Sequence, residues 1–599
     1  MTEAVGLPPP GVILIAGGLL LPLLRGAAPA VALLLPLLTL GAIWSLPSDL
    51  NVSMSFMGDL ELTPLAFQAP TLVFATIFAI MAFAGALFAH PLQGLQSERG
   101  KRWRVELPAA FVYAGSAICV TFAGDILSLF LFWELMAIGS TTVIWSAGTR
   151  ESGRAGYRYA LVHFVGGVLM MAGILAKVFA LQSAGVADPL ALHHFAFGAA
   201  GFEGLSWGTG DTAAWLILLG ILVNAAAPPL GSWLADAYPE ASESGTVFLS
   251  AFTTKTSVYV LMLLFAGAQL LVYVGLLMAV YGIVYAILEN DMRRILAYSI
   301  VNQVGFMVTG IGIGTAMALN GAAAHAFAHI IYKALLLMSA GSVLYMTGKR
   351  KCTDLGGLYH SMPITMYCGI IGALAISSFP FTSGFVTKSM ITQAAADQHI
   401  ALAWFVLTAA SAGVFLHAGI KFPWFVFFQK DSGLRPKDPP WNMRASMLLF
   451  AALCIVLGLP GAYFPLYAIL PFPAPEGEVL YVPYTVPHVV NQLQLLLFSG
   501  LAFFALLPVL KRTLTITLDA DWFYRRLFPG IWKHLVRPVV LALGEFVEFL
   551  IGQFPQMAKE TIYSPPQESR LFREWGLAAA MVVITALLFV FLVLGYVAT

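Results

Sequence analysis

The chain has 599 residues and a net charge of +1; only 10% of its residues are charged, against 59% hydrophobic. Soluble globular proteins carry about 25% charged residues, so this composition excludes a water-soluble enzyme, a disordered chain and a fibre, and leaves a polytopic membrane protein. The balanced charge, with no basic tail, gives no sign of a nucleic-acid partner.

In chain order, charged or Pro/Gly-rich breaks mark off about sixteen apolar segments: 9–24, 27–46, 70–91, 107–124, 126–147, 157–182, 212–232, 246–266, 268–288, 295–318, 320–345, 363–392, 400–427, 445–470, 488–510 and 575–597. Backbone polar groups in lipid must bond within their own segment, and these runs lack the alternation of barrel strands, so the fold class is all-α. The first eleven residues, MTEAVGLPPPG, carry an acid and no basic n-region, so the first segment reads as a retained span rather than a signal peptide.

Basic residues follow only odd-numbered segments: Arg99, Lys101, Arg102 and Arg104; Arg150, Arg154 and Arg158; Arg293 and Arg294; Lys349, Arg350 and Lys351; Lys430, Arg435 and Lys437; Lys511 and Arg512. Opposite loops hold acids alone: Asp49, Asp59 and Glu61; Asp188, Glu203 and Asp211; Glu476 and Glu478. The positive-inside rule then puts the basic loops in the cytoplasm and both termini outside.

Two segments are interrupted, the seventh by Pro228-Pro229 and Gly231, the twelfth by Phe379 through Gly384. Broken helices in corresponding positions point to inverted repeats. The predicted organisation is 1–104 as N-terminal spans, 105–266 and 268–430 as two half-repeats, 431–512 as C-terminal spans, 513–572 as an amphipathic segment along the membrane surface, and 573–599 as a last span.

Few ionisable residues lie within apolar segments: Glu134, His163, Lys177, Lys255, His325, His329, Lys333, Lys388, His417 and Lys421. A charge at the bilayer centre costs about 2.5–3.5 kcal/mol, so Lys255, Lys333 and Lys388 unpaired would cost on the order of 10 kcal/mol; such residues mark proton or ion paths. Glu134 has a full apolar turn on either side, and a carboxylate there can load and release a proton, or form a structural ion pair. His325, His329 and Lys333 are spaced i, i+4, i+8 and rise about 6 Å per step along one helix face, as one leg of a proton wire. Lys255 sits in the small polar run Thr253 to Ser257. Lys177 reads as a snorkelling end residue, and Lys421 as structural, near a kink or helix end at Phe422-Pro423-Trp424. His163 reads either way. Gly310, Gly312 and Gly314 fit helix packing, not a nucleotide loop. Cys119, Cys352, Cys368 and Cys454 are scattered singly, and no metal, cluster or cofactor motif is present, so neither metal nor cofactor is expected.

The most specific stretches are Phe132-Trp133-Glu134-Leu135; Trp233 through Ala241; Arg294 through Ser299; His325 to Lys333 with Ala334-Leu335-Leu336; and Phe379-Pro380 through Lys388. In this order they resemble the antiporter-like subunits of respiratory complex I and the D-type member of Mrp Na⁺/H⁺ antiporters, over about residues 105–430. The resemblance implies two inverted five-helix repeats. It makes Glu134 the fifth-helix glutamate, Lys255 the link from the cytoplasmic input, His325, His329 and Lys333 the central relay, and Lys388 the terminal group towards the exterior. It implies partner subunits in a hetero-oligomeric complex, with protons and Na⁺ as the transported ions. The segment after 513 is similar to the lateral helix of the longest antiporter-like member. Two positions depart from the pattern. The family lysine nine residues before Trp233 is Asn224 here, and the family histidine two before it is Gly231. Glu134 therefore lacks its usual partner; either Lys255 substitutes, or the glutamate works as a neutral acid, or this half-channel is altered. The function implied is a proton-translocating subunit of a Na⁺/H⁺ antiporter. Alternatives are a pump subunit of a complex I-like or hydrogenase-like redox complex, and a proton-coupling partner in another transport complex such as inorganic-carbon uptake.

Overall fold

The computed structural model describes residues 7–56, 60–92, 94–198, 201–202, 205, 211–472, 480–508, 519–520 and 522–542. It contains two units, Met1–Asp521 and Trp522–Thr599. In the second, the described residues 522–542 are helical, with basic and aromatic side chains exposed. The rest of the predicted amphipathic segment and the last predicted span lie outside the described residues.

The first unit is a helical membrane bundle. Its helices are α1 (Gly11–Leu20), α2 (Ala28–Ser45), α3 (Thr71–Ala89), α4 (Glu98–Phe122), α5 (Ile126–Trp145), α6 (Arg150–Ser183), α7 (Thr212–Asn224), α8 (Ser232–Ala237), α9 (Gly245–Leu249), α10 (Thr253–Leu264), α11 (Leu270–Leu288), α12 (Met292–Ile313), α13 (Ala316–Thr347), α14 (Pro363–Ile376), α15 (Ser383–Asp397), α16 (Ala401–Val414), α17 (Trp441–Val456), α18 (Phe464–Tyr467) and α19 (Val486–Leu506). Eleven stretches are long and apolar enough to cross a membrane, and four shorter apolar helices accompany them among the described residues. These cover the first fifteen predicted segments; the sixteenth lies outside the described residues.

Side-chain caps start the helices where the sequence changes from polar to apolar. Asp125 accepts from the Leu127 and Ser128 amides at 2.9 and 2.8 Å, and Thr149 and Ser152 form a reciprocal box at the start of α6. Glycines set the closest approaches. A Cβ on Gly275 would collide with Thr309 and the Gly305 carbonyl, and one on Gly312 with the Val272 amide, so α11 and α12 meet backbone to backbone. Gly314 ends α12 in the left-handed conformation at φ +75°.

Three features differ from the sequence reading. Asn51–Phe56 and Leu60–Ala66 form an antiparallel hairpin, β1 and β2, where a plain acidic loop is expected. The Thr63 amide donates to Asp125 Oδ2 at 2.7 Å, which ties β2 to the start of α5. The eighth predicted segment is broken as well, with α9 ending at Leu249 and α10 starting at Thr253. Finally, the helix through Lys421 does not end at Pro423. It continues to Phe428 in π-turns over Phe415–Lys421 and Trp424–Phe428, a widened register that absorbs the proline's missing donor.

The two expected breaks are present and their backbone is satisfied by side chains, as lipid requires. Trp233 Nε1 donates to the Val223 carbonyl at 2.9 Å across the gap between α7 and α8. Between α14 and α15, the Phe381 amide donates to Tyr484 Oη at 3.0 Å and Gln492 Nε2 to the Ser377 carbonyl at 3.2 Å. Both stitching groups at the second break come from α19 and the segment before it.

Candidate functional site

Five predicted site residues lie together in the bundle interior. Lys255, His325, His329 and Lys333 are fully buried and Lys388 is 2% exposed. His329 lies within Coulombic reach of Lys255, Lys333, His325 and Lys388. Helical spacing puts three of them on one face of α13, while the breaks after α9 and α14 bring the other two to it on α10 and α15.

Each has its own environment. Lys255 Nζ donates to the Ser250 carbonyl at 2.6 Å and to Thr254 Oγ1 at 3.2 Å. Lys333 Nζ donates to Ser299 Oγ at 2.9 Å and to the Leu296 carbonyl at 3.4 Å. His325 has Nε2 3.1 Å from Gln303 Oε1 and Nδ1 3.3 Å from Thr387 Oγ1. The Tyr332 hydroxyl reaches the same Nε2 at 3.2 Å and donates to Gln303 Oε1 at 3.0 Å. Because Thr387 donates its own proton to the Ser383 carbonyl, its oxygen accepts, so both ring nitrogens of a protonated His325 meet acceptors. The neutral ring can instead accept from Tyr332. A group bonded in both protonation states suits proton transfer. Neither nitrogen of His329 has a protein partner among the described residues, a pattern that hydration satisfies. Lys388 Nζ makes no protein hydrogen bond there either, and stands 4.6 Å from the centre of the Phe306 ring.

Glu134 stands apart on α5. Its carboxylate occupies the space a Cβ would need at Gly167 of α6, and its buried Oε1 has no hydrogen-bond partner among the described residues. Lys255 does not take the missing partner's place, because its ammonium is held by Ser250 and Thr254. Asn224 ends α7, 1% exposed, with neither side-chain polar atom bonded among the described residues. His163 is stacked on Tyr159, edge-on to Trp233, with Nδ1 2.9 Å from the Tyr159 carbonyl.

The remaining ionisable residues are anchors. Lys421 Nζ caps α11 by donating to the Ala286, Ile287 and Glu289 carbonyls at 3.1, 2.5 and 2.5 Å. Lys177 pairs with Asp211 at 3.6 Å beside the Gly201 carbonyl. His417 Nδ1 contacts the Gly413 carbonyl at 2.8 Å.

Sequence reasoning missed the polar partners of the relay: Ser299, Gln303, Tyr332 and Thr387. Ser299 and Gln303 recur at i, i+4 within an apolar segment, which was the available signal. It also treated the basic loop residues as topology alone. Arg158 forms a two-pronged pair with Asp236 at 2.6 and 2.8 Å. Buried Arg293 donates to the Pro239, Ala241 and Ser242 carbonyls, and Arg350 reaches Glu240 at 3.0 Å and Asp291 at 2.8 Å. Arg102 bonds Glu243 at 2.5 Å, and buried Glu106 accepts from Ser242 and Ser244. The stretch from Trp233 to Ala241 is thus a clasp held by arginines from α6, α12 and the loop after α13.

Residues 123–415 match the family described as NADH:quinone oxidoreductase/Mrp antiporter, transmembrane. The chain is 28% identical over 367 residues to the A/B component of a probable K⁺/H⁺ antiporter of Rhizobium meliloti, covering 58% of this chain and 35% of that one. It is 26% identical over 414 residues to the D component of the Na⁺/H⁺ antiporter of Alkalihalophilus pseudofirmus, covering 64% and 79%. A chain of the membrane-bound sulfane sulfur reductase, an archaeal respiratory membrane complex, shares the fold with a TM-score of 0.68 and 22% identity, over 97% of this chain and 100% of that one.

Proposed function

We propose, from the match of residues 123–415 to the NADH:quinone oxidoreductase/Mrp antiporter transmembrane family, that the chain is the proton-translocating subunit of a multi-subunit antiporter exchanging protons for a monovalent cation, Na⁺ first. The observation that carries the reading is the buried set Lys255, His329, His325, Lys333 and Lys388, clustered along one face of α13. Isolated ammonium groups at this depth cost about 2.5–3.5 kcal/mol each, so a chain that retains three has a use for them.

A proton entering from the basic-loop side passes Lys255, reaches the α13 relay and leaves by Lys388. Glu134 loads as a carboxylic acid without an ion-pair partner, and its charge state biases the next group through space. The basic loops face the cytoplasm, and neighbouring membrane subunits complete the transporter. The decisive experiment is a pH-gradient assay in vesicles carrying the whole complex. Adding Na⁺ drives proton flux, and E134Q and K388A suppress it. No flux with Na⁺ or K⁺, or full flux in both variants, overturns the reading. A second reading, a pump subunit of a redox complex, draws on the fold shared with the reductase chain over 97% of the protein. There, flux in the same vesicles follows electron transfer and not the cation gradient.

A further inference from the structure

The segment from 480 onward lies beyond the family match, yet it reaches the last lysine of the relay. A cavity of about 600 Å³ lies between α15, α16 and α19, lined among others by Lys388, Ser389 and Asp397 from α15, Trp404 and Ser411 from α16, and His488 from α19. It runs from the buried Lys388 ammonium to the exposed Asp397. Lys388 Nζ has no hydrogen-bond partner in the protein among the described residues.

His488 is fixed in this cavity by three contacts. Its ring stacks on Phe385 with centres 4.5 Å and planes 16° apart. Phe385 lies at i, i+3 from Lys388, so the two share one face of α15. Its Nδ1 stands 2.7 Å from the Pro483 carbonyl. A carbonyl only accepts, so Nδ1 carries the hydrogen and the neutral ring keeps its lone pair on Nε2. The backbone of α19 is held in register by the Thr485 cap, which accepts from the His488 amide at 3.4 Å.

We propose that His488 is the exit group of the relay, a role that rests on the proton-translocating reading above. The Lys388 ammonium loses a proton, breaking one Nζ–H bond and leaving a neutral amine. His488 Nε2 gains it, directly or through water that a cavity of this size admits, and the imidazolium releases it to the medium. The other titratable groups lining this cavity are Lys388 and Asp397 on α15 and Tyr481 in the segment before α19, and Tyr484 packs on the Phe385 ring against which the imidazole stacks. Asp397 accepts from Gln393 at 2.7 Å, nine residues beyond Lys388 and about 13 Å further along the helix. The half-buried imidazole thus lines the same cavity as the buried amine and that surface carboxylate.

The test measures Na⁺-driven proton flux in vesicles carrying the whole complex, as a function of the pH on the side this cavity opens to. Wild type is expected to show a titration step within the window of about pH 5–8 in which imidazoles change charge. H488N, whose amide nitrogen keeps the bond to Pro483, is expected to lose that step and to run at least about a hundredfold slower near pH 7. H488Q is read the same way should H488N not assemble. A profile equal to wild type, or one lowered by the same factor at every pH, overturns the assignment while leaving the function intact. Absence of cation-driven flux in the wild type itself overturns the functional reading and this one with it.

Discussion

Lys255 Nζ donates to the Ser250 carbonyl oxygen at 2.6 Å, across the break between α9 and α10. The break frees a carbonyl that a continuous helix would consume, and the lysine fills it from five residues on. The same side chain thus supports a local backbone irregularity and stands at the head of the buried cationic row.

Removing it should separate these two roles. An orphaned buried carbonyl costs about 1–3 kcal/mol, while a charged lysine held at this depth costs about 2.5–3.5 kcal/mol. The terms nearly cancel. K255M should therefore leave the melting temperature of the purified complex within a few degrees of wild type and abolish cation-driven proton flux. Wild-type flux in K255M would remove Lys255 from the path.

The Arg158–Asp236 pair predicts the opposite pattern. Asp236 is 5% exposed and anchors the clasp that begins at Trp233. D236N leaves a largely buried guanidinium without its carboxylate, which costs about 3 kcal/mol. Thermal unfolding should show this loss, and the R158M/D236L double variant should recover most of it. A D236N protein as stable as wild type would mean the clasp is held by Arg293 and Arg350 alone.

The helices and the buried row of titratable residues were legible because charge is so scarce. Three titratable residues at i, i+4, i+8 on α13 stand out in an apolar run, and Pro228-Pro229 and Pro380 announce their breaks. The break at Ser250-Ala251-Phe252 has no proline or glycine to announce it. There Lys255 bonds the freed Ser250 carbonyl from five residues on, a side-chain contact that apolar periodicity does not encode. The hairpin at 51–66 hid in the same way, because its anchor is Asp125, about sixty residues on. Arg293 reads as a loop charge by position, and only the folded chain shows it buried among three carbonyls.

Asn224 offers a direct test of the altered half-channel. Its neighbour Val223 packs on Gly166, and the next residue of α6, Gly167, faces the Glu134 carboxylate. N224K would place a cation on the side of α6 where the family carries one. A nearby cation favours the carboxylate over the acid, so the acid limb of the flux–pH profile should move to lower pH. An unpaired ammonium there would cost about 2.5–3.5 kcal/mol, so the lysine should be tolerated in folding only as far as the Glu134 carboxylate pairs with it. Transport and pH profile unchanged in N224K would mean that position 224 does not communicate with Glu134.

Gly167 makes the last prediction, and it isolates Glu134 without touching its chemistry. A Cβ at this position would fall 2.2 Å from Glu134 Oε1, and the other nearest atoms belong to the same carboxylate. Only the end of a flexible side chain must move, not backbone. G167A should therefore cost about 1 kcal/mol, the low end of overpacking, while displacing the carboxylate from its place between α5 and α6. Flux in vesicles should fall severalfold with the melting temperature within a few degrees of wild type. E134Q should then show no further loss when G167A is added, because both act on the same group. An additive loss in the double variant would show that Gly167 serves the helix contact and not the glutamate.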